Sequence, residues 1–445
     1  MKLLLSLEKY LIDLIGLKLT KITSMKYTTI LLVFFIFMAS CHKDDDTDTQ
    51  TDEDGIINSL PYQWKKSLHN QNSVSNGYIS DAIYYNGNIA IPTTNGENNK
   101  FLTMINPNNG ETIWQWNDNY LPYSNQIIIF EKYQNNNLLT YQTGNKSYCI
   151  NLDDGTTQWK FERNESFKQI VSGIYNNYFS LSQSEQFPQY DESVGFKGNL
   201  ETGAIEEYII PNFIFEHIIG NRIGNVTRIE PYMHNRVQHL VVTWQELTDD
   251  TIWNFQTYLG LFNYETNAWV YEKKVMNQPN LNGVVLAPPI IYKGKFYANI
   301  GHQLVCHDIA TGNQVWVRDF PQDFMFSGFI IEENKIIANN EDTFTYCLNP
   351  ENGNIIWKTE SSGTSGRMSY LNGIVYFVGG STGKLHAIDV ITGKHVWKIN
   401  AGNLGESSTS NFKTNAVYVF KAENGNPAKV IALSHMNAYS FEAYQ

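Results

Sequence analysis

Few residues of this chain could do chemistry, and spacing decides what each can do. His234 and His239, in HNRVQH, are the nearest candidate metal pair. An odd separation along one strand puts them on opposite faces, which speaks against shared coordination. VGGSTGKLHAID (378–389) carries the Gly-Lys of a phosphate loop, but three residues separate Gly379 from Gly383, and Leu385 stands where Ser or Thr should hold magnesium. It reads as a hairpin turn between strands. Asp44, Asp46 and Asp48 alternate as in a calcium loop, without the glycine and glutamate such a loop needs. No Ser-His-Asp order and no HExxH occurs, and His217, His302 and His435 are scattered. The reading assigns no catalytic residue and no metal ligand.

The thiols point the same way. Cys149, Cys306 and Cys347 each fall two residues before an Asn or Asp, a slot filled elsewhere by Met104, Leu261 and Ala387. A slot that recurs with apolar residues is a packing position, where Cys behaves as a small hydrophobe. Equivalent points on stacked sheets lie about 10 Å apart, beyond the roughly 7 Å Cα separation a disulfide spans. Free structural thiols are expected.

The elements that hold these residues come from one phrase: a hydrophobic run, Asn or Asp, two or three residues, Gly, then an aromatic four positions on. It reads INPNNGETIW (105–114), INLDDGTTQW (150–159), HDIATGNQVW (307–316), LNPENGNIIW (348–357) and IDVITGKHVW (388–397), with weaker copies at 198–208 and 262–271. The anchors are Gly110, Gly155, Gly203, Asn267, Gly312, Gly353 and Gly393, about 40 to 48 residues apart save for the stretch from Gly203 to Asn267. A strand-turn-strand signature at this period indicates a β-propeller. Upstream hairpins such as IYYNGNIAI, IIYKGKFYANI and YLNGIVYFVGG carry Asn-Gly or Lys-Gly turns, so each blade is four antiparallel strands.

The closing aromatics are Trp114, Trp159, Tyr208, Tyr271, Trp316, Trp357 and Trp397, and an eighth, Trp64, has no strands before it. The last segment, 414–439, has strands without that motif, so residues 62–68 are expected to supply the outer strand of the last blade and close the ring. The expected fold is all-β with eight blades, or seven if 198–271 forms one irregular unit.

A net charge of −12 argues against nucleic acid. MKYTTILLVFFIFMASC (25–41) has the short basic start, apolar run and small residues of an export signal, below spanning length. Residues 1–24 carry Glu8 and Asp13 among apolar residues, which suits translation from Met25. The ending MASC resembles a bacterial lipobox, implying cleavage after residue 40, lipidation of Cys41 and a membrane bond through lipid alone. The following HKDDDTDTQTDEDG (42–55) makes residues 41–59 an acidic tether. Its Lys43, Asp44, Asp45 and Asp46 resemble the signal that sends Bacteroidetes lipoproteins to the cell surface; a plain spacer is the alternative.

The repeat, covering 60–445, resembles the tryptophan-docking repeat of pyrroloquinoline-quinone-type propellers. These include quinoprotein alcohol dehydrogenases and the propeller lipoprotein of the outer-membrane barrel-assembly machinery. The resemblance implies the fold and leaves activity open. The enzymes often carry adjacent cysteines and need a Glu/Asn/Asp calcium constellation with a catalytic Asp. No adjacent cysteines occur here and the other residues find no match, so neither quinone nor other cofactor is expected.

Segments 182–196 and 229–255 exceed the usual blade, and long loops in repeat proteins often form the binding face. Their Phe187, Tyr190, Tyr232, Arg236, Trp244 and Trp253 are anchor types for a protein or glycan, unless they sit in elongated strands and pack on neighbours. A non-catalytic assembly scaffold and a surface glycan-capture protein both fit, at the cell surface or facing the periplasm.

Overall fold

The computed structural model describes residues 59–68, 83–94, 100–118, 133–143, 146–162, 168–175, 178–184, 194–209, 225–247, 255–277, 289–324, 327–423 and 425–444. Cys41, Lys43, Asp44, Asp45 and Asp46 lie outside them. Among the described residues the first strand is β1 (Tyr62–Ser67), followed by seven consecutive groups of four strands. Sheet one is β2–β5 (Ile83–Tyr85, Asn88–Thr94, Lys100–Ile105, Thr112–Trp116) and sheet two β6–β9 (Tyr133–Asn135, Leu138–Thr143, Lys146–Asn151, Thr157–Glu162). Sheet three is β10–β13 (Lys168–Tyr175, Tyr178–Ser184, Val194–Asn199, Ile205–Ile209) and sheet four β14–β17 (Asn225–His234, Val237–Leu247, Phe255–Asn263, Ala268–Val275). Sheet five is β18–β21 (Ile290–Tyr292, Lys295–Ile300, Gln303–Asp308, Gln314–Asp319) and sheet six β22–β25 (Phe329–Glu332, Lys335–Asn339, Phe344–Leu348, Ile355–Glu360). Sheet seven is β26–β29 (Ser369–Leu371, Ile374–Val378, Leu385–Asp389, His395–Ile399). The last three strands, β30–β32 (Phe412–Phe420, Lys429–Ser434, Asn437–Glu442), pair with β1 in the order β1-β32-β31-β30. The described residues thus form eight four-stranded antiparallel sheets.

The recurrent phrase builds the turn between the third and fourth strands. The Asn or Asp side chain caps the turn backbone, as Asn151 Oδ1 does for the Asp153 N–H at 3.0 Å, and Gly155 closes it with φ +74°. The aromatic that follows docks on the next sheet. Trp114 Nε1–H donates to the Leu152 carbonyl at 3.0 Å, Trp159 to Leu200 at 2.7 Å, Trp316 to Pro350 at 2.8 Å and Trp357 to Val390 at 3.0 Å. Each indole lies flat against the turn glycine of that neighbour. A Cβ on Gly353 would stand 2.7 Å from the Trp316 ring, so no larger residue fits without displacing it. Tyr271, at the Trp position of sheet four, makes the same contact with its hydroxyl, donating to the Ile309 carbonyl at 2.8 Å over Gly312.

The recurrent small slot is the cross-strand partner of the docking ring. Cys149 faces Trp159, Cys306 faces Trp316, Cys347 faces Trp357, Met104 faces Trp114 and Ala387 faces Trp397. All three thiols are free and buried; burial pushes Cys149 and Cys306 up to about 12 and Cys347 to about 11. They are packing groups, far from thiolate chemistry.

Trp64 extends the docking series to the N-terminal strand. β1 pairs antiparallel with β32, Tyr62 opposite Phe441 and Ser67 opposite Asn437. Trp64 Nε1–H then donates to the Pro107 carbonyl at 2.8 Å and its ring covers Gly110, in sheet one. Sheets eight and one share a buried cluster that includes Leu68, Ile89, Ile105, Tyr418 and Ile431. Trp397 has no glycine turn to cover, because β1, not a hairpin, supplies the outer strand of sheet eight. It packs on Phe441 (centroids 6.4 Å), beside Ala443, whose N–H bonds the Ala428 carbonyl at 2.8 Å.

One buried polar pair departs from this packing. His386 stacks on Phe377 at 5.0 Å and shares a 3.1 Å hydrogen bond between its Nδ1 and His395 Nε2. Burial holds the His386 imidazole well below its ordinary 6.5, and the charges of His395, Lys398 and Lys384 act in the same sense. The unfolded chain takes up this proton below 6.5 whereas the native one does not, so stability is complete above that pH and falls beneath it. Denaturant titrations at pH 7.5 and 5.5 should differ by up to about 1.4 kcal/mol per pH unit crossed below the ordinary value, and His386→Phe should remove most of that difference.

Candidate functional site

Antiparallel meanders sort the connections onto two ends. The turn between third and fourth strands is bonded to the hairpin between first and second: Leu152 N–H to Asn137 O at 2.7 Å, Ile309 to Gly294 at 3.0 Å, Val390 to Gly373 at 2.9 Å. All these tight turns share one end of their sheets. The connections from second to third strand, and from one sheet to the next, leave from the other end. VGGSTGKLHAID belongs there as the β27–β28 turn, closed by Gly383 N–H to Gly379 O at 2.6 Å.

On that loop end, the described connections of sheets five to eight are tied by carboxylates and amides. Glu341 accepts from Ser327 Oγ–H at one oxygen and from Thr364 Oγ1–H at the other, both at 2.8 Å. Asn339 donates to the Ser362 carbonyl at 2.7 Å and accepts from the Ser365 N–H at 3.2 Å. Glu406 accepts from the side chains of Ser434, Asn437 and Tyr439, each at 2.6 Å, and from Ser410 Oγ–H. Burial pushes the Glu406 carboxyl up, yet these donors outweigh it and hold the group below its ordinary range. A carboxylate that accepts four donors from separate connections is a loop fastener. Nearby, β30 bulges between Phe412 and Val417; there Asn415 Oδ1 accepts the Arg367 N–H at 2.5 Å, and burial lowers Lys413 to about 8. Nothing in the sequence pattern marked Asn339, Glu341, Glu406 or Lys413, because their roles come from loops meeting across sheets.

Of the six candidate binding residues, Tyr232, Arg236 and Trp244 lie among the described residues, and Trp244 is set apart from the other two. Trp244, expected in a loop, is fully buried in β15, 5.7 Å from Tyr258 and 6.0 Å from Trp269 between ring centroids. It is core, since 225–247 forms one long hairpin of ten- and eleven-residue strands. Tyr232 and Arg236 belong to the tip of that hairpin, at the turn end. Tyr232 packs into the interface with sheet five, and Arg236 is exposed with φ +66°. Phe187, Tyr190 and Trp253 lie outside the described residues. The same hairpin overturns the placing of His234 and His239 on opposite faces. A two-residue turn separates them, and their rings stand 6.0 Å apart on one face.

Comparison with known proteins gives a consistent result. The family model described as outer membrane protein assembly factor BamB matches residues 241–443. The BamB of Shewanella oneidensis is 27% identical over 124 residues, 25% of this chain; the match spans about a third (31%) of that relative's length. The crystal structure of BamB from Moraxella catarrhalis superposes on 86% of this chain and 100% of its own, with TM-score 0.54 and 12% identity. A quinohemoprotein alcohol dehydrogenase of Pseudomonas putida HK5 matches 86% of this chain and 76% of its own at TM-score 0.59 and 9% identity. At such identity these structures establish fold alone.

The cysteines are separate and buried, and no three carboxylate, imidazole or thiol side chains are grouped for a metal among the described residues. The chain has a pyrroloquinoline-quinone-like β-propeller fold and is similar to the outer membrane protein assembly factor BamB.

Proposed function

We propose that this chain is a lipid-anchored, non-catalytic propeller of eight blades, closed by β1, that holds a protein partner at the outer membrane. The observation that carries the reading is the BamB family match over residues 241–443. The fastened loop end supports it: sheets five to eight present connections pinned by Glu341 and Glu406, a rigid surface suited to docking. Cys41 is the proposed lipid attachment, with Lys43 to Asp46 directing the protein to the cell surface. No quinone or metal takes part in this activity.

The test is photo-crosslinking in living cells from exposed Ser408, in the connection from sheet seven to sheet eight, and from exposed Asp154, in a tight turn. The expected result is an adduct with an outer-membrane assembly protein from position 408 and little from 154, with Cys41→Ser moving the chain to the soluble fraction. Retention of the purified protein on a glycan column, with no protein adduct from either position, would replace scaffold by glycan capture. Protease treatment of intact cells reads the side of the membrane.

A further inference from the structure

Two imidazoles meet at the tip of the β14–β15 hairpin. Tyr232 pairs directly with His239 and His234 with Val237, which makes the histidines diagonal neighbours on one face. Their ring centroids are 6.0 Å apart with planes at 77°, and Tyr232 stacks on His234 at 5.9 Å. This is the face sheet four turns toward sheet five, where Tyr232 joins Val241, Leu259 and Phe296. The hairpin runs further out than its counterparts. The Tyr264 N–H reaches Gln238 O, inside the register of β15, whereas the matching Leu152 N–H of sheet two reaches Asn137, already in the turn.

The hydrogen bonds of the pair fix where its lone pairs lie. His239 Nδ1 is 3.0 Å from the Val237 carbonyl, which only accepts, so Nδ1 carries the proton and Nε2 the lone pair. Anchoring one ring nitrogen on a backbone carbonyl is how proteins ready the other for a metal. His234 Nε2 sits 3.1 Å from the Asn235 amide nitrogen, a donor, so it too presents a lone pair, shared only with an exposed side chain. With metal–nitrogen bonds of about 2.0–2.1 Å, a tetrahedral ion holds two ligating ring centroids roughly 5.3 Å apart. The observed centroid spacing of 6.0 Å is within about 1 Å of that value.

We propose that His234 and His239 form a two-imidazole site for a borderline divalent transition-metal ion, Zn²⁺ or Cu²⁺, with water completing the shell. Imidazole nitrogen selects these ions over Ca²⁺ and Mg²⁺, which take oxygen. Bound there, the ion cross-links β14 to β15 and leaves open positions at the exposed tip.

Titration calorimetry of ZnCl₂ into the purified full chain tests this, alongside the copper spin-resonance spectrum of a 1:1 Cu²⁺ sample. The expected result is one Zn²⁺ per chain and a two-nitrogen copper signature, with His234→Gln and His239→Gln each weakening binding about tenfold or more. Metal-free unfolding midpoints check that the variants fold; should His239→Gln unfold, His234→Gln at the exposed tip carries the comparison. Zn²⁺ affinity unchanged in His234→Gln, or no uptake by the unaltered chain, overturns the site.

Discussion

Trp316→Ala should lower the unfolding free energy by about 3–5 kcal/mol, the usual range for emptying a buried Trp site. The ring is 8% exposed, covers Gly353 and donates to the Pro350 carbonyl, so the change opens a cavity and leaves that carbonyl only the Tyr297 hydroxyl, at 3.2 Å, as a donor. Against a typical domain stability of about 5–15 kcal/mol this is roughly a fifth or more of the total. Denaturant midpoints read it directly. Trp316→Phe separates the two contributions, keeping most of the apolar contact while losing the hydrogen bond, about 1 kcal/mol by itself. Equal losses for the two variants would mean that the ring adds little beyond its donor.

The second large effect concerns β1. Removing residues up to 68 strips the outer strand from sheet eight, exposes the β32 backbone edge and deletes the Trp64 dock on Gly110. An unpaired edge beside a lost interface favours association between chains. The truncated protein should be recovered mainly as aggregate, and a synthetic peptide of residues 59–68 added during refolding should restore soluble monomer. Trp64→Ala in the full chain should give an intermediate loss, measured by chromatography and melting. A truncated chain that stays monomeric, with the same melting midpoint, would remove β1 from the closure proposed above.

Much of this architecture was written in local chemistry. Gly155 and Gly353 stand out because a positive φ tolerates little else, and Trp159 or Trp357 four residues later because a period-2 strand fixes its face. The place of Trp64 was legible for a similar reason: an aromatic without preceding strands needs a sheet that lacks an outer strand. What misled was geometry that a linear period does not contain. Along an unbroken strand, positions 234 and 239 face opposite ways; a turn at Asn235-Arg236 reverses the chain and restores them to one side. Likewise the excess length at 229–255 looked like loop because the average blade was the yardstick. Most of it lengthens β14 and β15, and Trp244 is swallowed by the added wall. The loop end was least legible, since Glu341 and Glu406 acquire their roles from hydroxyls supplied by other connections, at separations no motif records.

The pairing of Tyr62 with Phe441 also bears on biogenesis. During vectorial synthesis or export, the first strand to emerge must wait for the last before its backbone bonds are made, so contacts of very high sequence separation govern the final step. Until residues 437–442 are made, the nascent protein exposes an unpaired backbone ladder and a Trp397 without its Phe441 contact. A product lacking residues 437–442 keeps that edge unpaired, with β31 and β1 each left without the strand that joins them.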